Sequence, residues 1–370
     1  MRILVINAGS SSVKFGVFDM TDGEPVFQGE TERAASVEEA LKQIPAALEK
    51  AGQHAFDAVG HRVAHGGEKF ADACIIDDAV IADINACVPL APMHNPAALA
   101  GISMARKAWP VPQTAVFDTA FHQTMQPHAT TYAVPESWRN AGVRRYGFHG
   151  TSHKYIALRV AQELKKPATD LRIISCHLGN GASVCAIAQG KSVDTSMGMT
   201  PLEGLVMGTR CGDIDPGIFG YVKHTLGLTV EQIEAALYHD SGLAALSGLD
   251  NDVRDIEKQA ETGNKKARLA LEIYVYRVIK YIGAYAAAMG GVDVISFTGG
   301  VGEHSADMRA RICNGLAFLG LHFDEARNAQ VKLTGFEAPS LTTPTSPVKA
   351  LVTRTREQWM IARETHQLLN

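Results

Sequence analysis

Cysteine pairing motifs are missing from this sequence. Six cysteines occur in 370 residues (Cys74, Cys87, Cys176, Cys185, Cys211 and Cys313), irregularly spaced and with no CxxC pair. That pattern argues against a disulfide framework or a zinc site, and for reduced, mostly buried thiols in a cytosolic protein. A basic excess is missing too. The formal net charge is −4, so the charge balance does not point to nucleic acid or an anionic lipid surface. No apolar run approaches the ~20 residues that a bilayer crossing takes. The apolar run 3–6 stops at Asn7-Ala8-Gly9-Ser10, too short for the core of a signal peptide. The expectation is a chain without a targeting segment, located in the cytoplasm. Low-complexity stretches are lacking, and only 337–347, rich in Pro and Thr, resembles a linker.

The two common nucleotide motifs are absent as well. No stretch reads G-x-x-x-x-G-K-[ST]. Gly300-Val301-Gly302-Glu303-His304-Ser305 approaches a dinucleotide fingerprint but lacks its third glycine. Gly179-Asn180-Gly181 runs on into strand-like sequence, where a dinucleotide site needs a helix. Neither a P-loop nor a Rossmann site is expected.

What is present is an ordinary globular composition, 46% hydrophobic and 20% charged, in a length that suits two or three domains. The N-terminus reads as strands at 3–6, 13–18 and 25–27, with turns at 9–12 and at Asp22-Gly23. A second copy of this plan begins at Arg172. Arg172-Ile173-Ile174 echoes Arg2-Ile3-Leu4, and Gly179 answers Gly9 ahead of another strand-turn-strand. A fainter echo pairs Ala64-His65-Gly66-Gly67 with Phe297-Thr298-Gly299-Gly300. Repeats of this kind imply duplicated domains, and a cleft between two such domains is where a ligand is expected. Helices are expected over 37–51, from Asn95 (as N-cap, with Pro96 at N1), over 230–238, over 256–290 with a break near Gly263, over 305–319 and over 356–369. The last is able to return to the first domain. Amides and hydroxyls of 9–12, with Lys14 on the strand face of Ser12, suit a phosphate chain. Taken alone, that loop reads more simply as a surface hairpin with Lys14 in solvent.

Longer strings carry more. Asn7-Ala8-Gly9-Ser10-Ser11-Ser12-Val13-Lys14-Phe15 and Arg144-Arg145-Tyr146-Gly147-Phe148-His149-Gly150-Thr151-Ser152-His153 resemble the two signature segments of the acetate kinases. His177-Leu178-Gly179-Asn180-Gly181 and Met207-Gly208-Thr209-Arg210-Cys211-Gly212-Asp213-Ile214-Asp215-Pro216 are similar to further family segments, as are 61–67, 89–96 and 117–123. The resemblance runs in order along essentially the whole chain. It implies an α/β architecture: the duplicated ribonuclease H-like fold shared by actin, Hsp70 and hexokinase, with two domains and a central cleft. One domain would comprise 1–118 and 357–370, with the phosphate loop and an acyl-pocket arginine. The other, 119–356, would bind adenosine and carry a second arginine. The implied reaction is reversible phosphorylation of acetate by ATP, dependent on Mg²⁺ (with Mn²⁺ as a substitute), giving acetyl phosphate and ADP by direct in-line transfer. Activity on propionate and a homodimer are implied as well.

The residue types suit that chemistry. A carboxylate with a pKa of roughly 4 to 5 is already ionised at neutral pH and needs no general base. The obstacle is bringing one anion up to another, so catalysis rests on alignment and on neutralising charge on the phosphoryl oxygens. By family position, Arg62 would hold the substrate carboxylate and Arg210 would bridge substrate and phosphoryl group; guanidinium forks suit both. His149 would steady the transferring group. Asp118, at the end of the strand-like run 114–117, would either organise Mg²⁺ and its water or orient an arginine. His94, ahead of a helix N-terminus, and His177 would lie on the phosphate side. Asn7 and Glu357 would serve the metal. Ser10, Ser12, Lys14, Gly179, Asn180 and Gly181 would meet the phosphates. Asp252, Val253 and Arg254, with Gly300, Val301, Gly302, Glu303 and His304, would meet the adenosine. Ala64, Met93, Phe148 and Pro201 would line the acyl pocket, while His65, His122 and His153 read as structural.

Three positions depart from the family pattern. His304 stands where asparagine is usual, and Arg356-Glu357-Gln358 where two adjacent acids are usual. Ala64 replaces a common valine, removing two methyl carbons from the acyl wall. At roughly 0.8 kcal/mol per methylene, propionate is expected to be accepted nearly as well as acetate. Two other readings stay open on sequence grounds: a dedicated propionate kinase, and an actin- or Hsp70-like ATPase, which would have no need of two arginines for a carboxylate.

Overall fold

β1 (Arg2–Ala8) is buried along its apolar run because two layers claim its alternate residues. Leu4 and Ile6 pack with Leu41, Ile44 and Leu48 of the helix Val37–Lys50 and with Ala97 and Ala105 of the helix Asn95–Ala108. Ile3 and Val5 pack with Phe18, Val116 and Ile361, the last from the C-terminal helix Glu357–Leu369. The structure, a computed structural model, describes residues 1–9, 13–20, 24–31 and 36–370. Ser10, Ser12 and the expected Asp22-Gly23 turn lie outside the described residues.

Among the described residues the strands form two sheets. The first holds β1, β2 (Val13–Asp19), β3 (Pro25–Thr31), β4 (Ala58–Val63), β5 (Cys74–Ile75) and β6 (Gln113–Phe117), in the order β3-β2-β1-β4-β6-β5. The second holds β7 (Arg172–Leu178), β8 (Ala182–Ala188), β9 (Lys191–Thr195), β10 (Val294–Thr298) and β11 (Lys349–Val352), in the order β11-β10-β7-β8-β9. The duplication extends to register. Ile3 lies opposite Phe18 and beside Ala58; Ile173 lies opposite Ile187 and beside Val294. Both meanders carry an irregularity at the matching point, between Val17 and Phe18 and between Ala186 and Ile187. The fainter glycine echo is not part of this repeat: with Ala58 matched to Val294, Gly66-Gly67 falls three residues away from Gly299-Gly300.

The residues group into two compact units. The first comprises Met1–Thr124, Phe148–Tyr155 and Arg356–Asn370; the second comprises Met125–Gly147 and Ile156–Thr355. Relative to the expected division after Asp118, residues 119–124 and Phe148–Tyr155 join the first unit. The Gly150 N–H donates to the Asp118 carbonyl at 2.8 Å, and His122 Nε2 lies 2.9 Å from the Phe148 carbonyl oxygen. Within the first unit, Gly60 lets the C-terminal helix lie close on β4. A Cβ there would press on Thr365 and Ile361, and Thr365 hydrogen-bonds Thr114 at 2.6 Å.

Several expected helix bounds shift for local reasons. His94, not Asn95, occupies the N-cap of Asn95–Ala108. The Asn95 side chain is committed elsewhere: it accepts from the His65 N–H at 3.1 Å and donates to the His65 and Ile84 carbonyls. The long helical stretch divides into Val253–Glu261 and Lys265–Ala288 at Gly263, whose φ is +95°, with Asn264 capping the second helix. The helix expected over 305–319 is Ala306–Asn314 followed by a 3₁₀ turn at Ala317–Leu319; Ser305 stays extended ahead of it and its hydroxyl caps the Met308 N–H. No helix among the described residues is long and apolar enough to cross a membrane.

Candidate active site

In the first unit the parallel pairing of β1 with β4 sets Asn7 beside Arg62, and the end of β6 delivers Asp118. Arg62 donates from Nε and Nη2 to Asp118 Oδ2, at 3.0 and 2.5 Å, and from Nη1 to Asn7 Oδ1 at 3.4 Å. Two of the five guanidinium N–H groups are left without a hydrogen-bond partner among the described residues. The side chains of Arg62 and Asp118 are only 18% and 3% exposed. Burial presses the Asp118 carboxyl upward, and Arg62 pulls it back. For Arg62, burial works against the charge and the Asp118 and Glu357 carboxylates more than restore it, ending above the ordinary arginine value. Of the two roles open to Asp118, the geometry matches the orienting of an arginine.

Glu357 opens the C-terminal helix within electrostatic reach of both Arg62 and Asp118, and His94 also acts on Asp118. Arg356, one of the departures from the family pattern, forms a two-pronged pair with Glu24, each arm 2.8 Å. The oxygens of Glu357, Asn7 and Asp118 are hard ligands of the kind Mg²⁺ takes in ones and twos beside phosphate and water. Among the described residues no group of three or more His, Cys, Asp or Glu side chains forms a metal cage.

His149 has φ +57°, a left-handed conformation that costs a non-glycine residue on the order of 1 kcal/mol or more. The turn is held on both sides. Phe148 is buried with its ring edge-on to His65, and Gly150 donates to Asp118. The Thr151 hydroxyl reaches Asp118 Oδ1 at 3.4 Å. His149 is thereby fastened to the corner that carries Arg62. Ala64 is buried two residues past Arg62, whereas Met93 is exposed. Lys14 is exposed, 3.7 Å from Glu30.

The second unit holds a cavity of about 500 Å³. Its walls include Asn180 from the β7–β8 turn, Asp252 and Arg254, and Val301 and His304 from the short helix Gly299–His304. Gly179, Val253 and Gly300 also line it, so these expected nucleotide residues are brought together. The Gly208 N–H donates to the Asn180 carbonyl at 2.9 Å, and Asn251 Nδ2 donates to Asn180 Oδ1 at 2.8 Å, which fixes the turn. Asp252 accepts from the guanidinium and the backbone N–H of Arg254, and these bonds hold its pKa down at about 2. His177, Gly181, Gly302 and Glu303 do not line the cavity. The Glu303 side chain turns back instead, accepting from the N–H groups of Gly299 and Thr355 at 3.1 and 2.7 Å.

Sequence reasoning missed Gly208, Leu243, Asn251, Glu257 and Ser305 as cavity walls. Glu257 stands one turn beyond Val253 on the same helix face, a spacing that would have found it. It accepts the Ser305 hydroxyl, and burial raises its pKa.

Arg210 lies in the second unit with only neutral partners. It donates to the Pro201 carbonyl at 3.1 Å and reaches Met207 Sδ at 3.6 Å. Burial lowers its pKa, and no carboxylate pairs with it among the described residues.

The duplicated sheets, the glycine-walled cavity and two half-buried guanidinium groups define a phosphotransferase-like protein of the actin, Hsp70 and hexokinase fold class. The model of the acetokinase family matches residues 28–363. The chain is 48% identical to the acetate kinase of Deinococcus radiodurans, across 99% of this chain and 97% of that one. Among solved structures it resembles the Porphyromonas gingivalis acetate kinase, with a TM-score of 0.94 and 41% identity over the full length of both. It also resembles a propionate kinase from Francisella tularensis, with a TM-score of 0.93 and 38% identity over 99% of each. The chain belongs to the acetokinase family.

Proposed function

We propose that this chain reversibly transfers the γ-phosphoryl group of ATP to the carboxylate of acetate, giving acetyl phosphate and ADP. One carboxylate oxygen attacks the γ-phosphorus. The new O–P bond forms as the bond to the β,γ-bridging oxygen breaks, and ADP leaves with that electron pair. No proton has to move at neutral pH. The observation that carries this reading is Arg62: half-buried, aligned by Asp118 and Asn7, and still holding two N–H donors for a carboxylate. Arg210, whose charge has no internal counterion among the described residues, neutralises charge on the phosphoryl oxygens. His149, with His94 and His177, stabilises the same charge. Glu357 and Asn7 would hold Mg²⁺, which when bound would offset the phosphate charge. The cavity at Asn180, Asp252 and Val301 takes the adenosine.

Propionate is a second substrate of the same site. Ala64 supports this, since it is buried two residues from Arg62 and leaves room for a further methyl group than valine would. The site works in the cytoplasm, as irregularly spaced cysteines without a pairing motif imply. The active form is a homodimer, for which the exposed Tyr221, Leu226 and Val230 supply apolar surface. Light scattering reads that state directly.

The function is tested by trapping acyl phosphate with hydroxylamine while ADP release is followed with acetate, with propionate, and with no acid. Hydroxamate and ADP should appear together and only with an acid. ADP release indifferent to the acid would identify an ATPase and overturn the proposal.

A further inference from the structure

Arg145 is not one of the groups assigned to the reaction, yet it anchors the loop that carries Arg210. Its Nη1 donates to three successive carbonyls, Thr195 at 3.0 Å, Ser196 at 3.3 Å and Met197 at 3.0 Å. Its Nη2 pairs with Glu203, which also accepts the Tyr132 hydroxyl. The Tyr132 oxygen in turn accepts from the Met199 N–H at 3.1 Å, and its ring lies under the Arg145 guanidinium. The N–H groups of Tyr146 and Gly147 both donate to the Gly198 carbonyl, at 3.1 and 3.0 Å. A Cβ on Gly198 would collide with Glu203 and Tyr132, so the segment is packed directly against the ion pair.

The held segment ends in the atom that aims the catalytic arginine. Pro201 lies between Met199 and Glu203, and its carbonyl accepts from Arg210 Nη1 at 3.1 Å. The far end of the loop is closed separately. Gly204 and Asp213 exchange bonds of 2.9 and 3.0 Å, and Asp213 is gripped by Tyr281 and Arg277, each at 2.8 Å. Moving the Arg145 end therefore shifts the Pro201 carbonyl against a fixed base.

We propose that Arg145, through Glu203 and Tyr132, is a positioning residue for Arg210: it sets where the Pro201 carbonyl stands and thereby the direction of the Arg210 guanidinium. The proposal rests on the reading of Arg210 as a catalytic residue. A lysine at 145 keeps the charge opposite Glu203 but cannot span three carbonyls.

The test is a double-mutant cycle in steady-state kinetics with acetate and ATP. Arg145→Lys should lower kcat at least about tenfold, with KM for ATP within about twofold of the parent. In an Arg210→Lys background the same change should cost no more than about twofold, because little directional bonding remains to be aimed. Tyr132→Phe, which keeps the ring and removes one hydroxyl, should show the same non-additive pattern at smaller amplitude, and it decides the question if Arg145→Lys does not fold. Full multiplication of the losses in the Arg210→Lys background would show a merely structural role and overturn the proposal. So would parent-like activity in both Arg145→Lys and Tyr132→Phe. Parent-like activity of Arg210→Lys alone would remove the catalytic reading of Arg210 itself, a distinct failure.

Discussion

Replacing Gly150 by alanine should cost activity out of proportion to its size. Gly150 follows His149, and its N–H donates to the Asp118 carbonyl at 2.8 Å. A Cβ at this position would lie well inside 3.0 Å of that carbonyl oxygen, with the Asp118 carbonyl carbon and Phe121 Cβ at 3.1 Å. These are backbone atoms and a packed ring stem, so relief has to come from movement of the Asp118 backbone. A retreat of about 1 Å would drag the carboxylate that holds Arg62, and misplacement on this scale costs on the order of 10²-fold in rate. The overpacking itself should destabilise the fold by about 1–3 kcal/mol. The assay is hydroxamate formation at saturating ATP with acetate varied, alongside urea unfolding to separate the two effects. The expected result is a fall of about 10²-fold in kcat/KM for acetate in a variant that is still folded. A folded Gly150→Ala protein within threefold of the parent would refute the link from Gly150 through Asp118 to Arg62.

Other perturbations test separate parts of the reasoning. Asp118→Asn removes the buried carboxylate that pairs with Arg62, so stability should fall by about 3–5 kcal/mol and acyl phosphate formation by about 10²-fold; a urea midpoint and a rate equal to the parent's would contradict this. His61 is fully buried beside Gln113, at 2.8 Å, and burial lowers its pKa to about 4. A histidine depressed in the folded state favours unfolding once the unfolded chain can protonate it. Its contribution is therefore intact above about pH 6.5 and should be lost, to the extent of about 3 kcal/mol, as the pH falls toward 4. Urea midpoints across that range should decline less steeply in His61→Asn, and parallel slopes would exclude His61 as the cause. Ala64→Val should lower kcat/KM for propionate by about tenfold or less while sparing acetate; equal effects on the two acids would remove Ala64 from the acyl wall.

Much of this protein is readable in one dimension because the signals are local. The apolar run 3–6 and its echo at 172–174 announce two central strands, and the matched registers of β1 and β7 follow from the same alternation of side chains. The break at Gly263 needs only a residue that tolerates positive φ. The long strings around Arg62, His149 and Arg210 mark the family, since each packs several unusual residue types into a few positions. What the chain order does not reveal is which distant groups meet. Asn95 looks like a helix cap until His65 claims its side chain, and nothing local announces that the Glu303 side chain folds back to Gly299 and Thr355. The wall formed by Glu257 and Ser305 and the clamp formed by Arg145, Glu203 and Tyr132 join residues tens of positions apart. Backbone periodicity and glycine tolerance are properties of short segments and can be read from them. Hydrogen-bond partnership in a buried site depends on which atoms the packed core brings within 3 Å, and only the tertiary structure decides that.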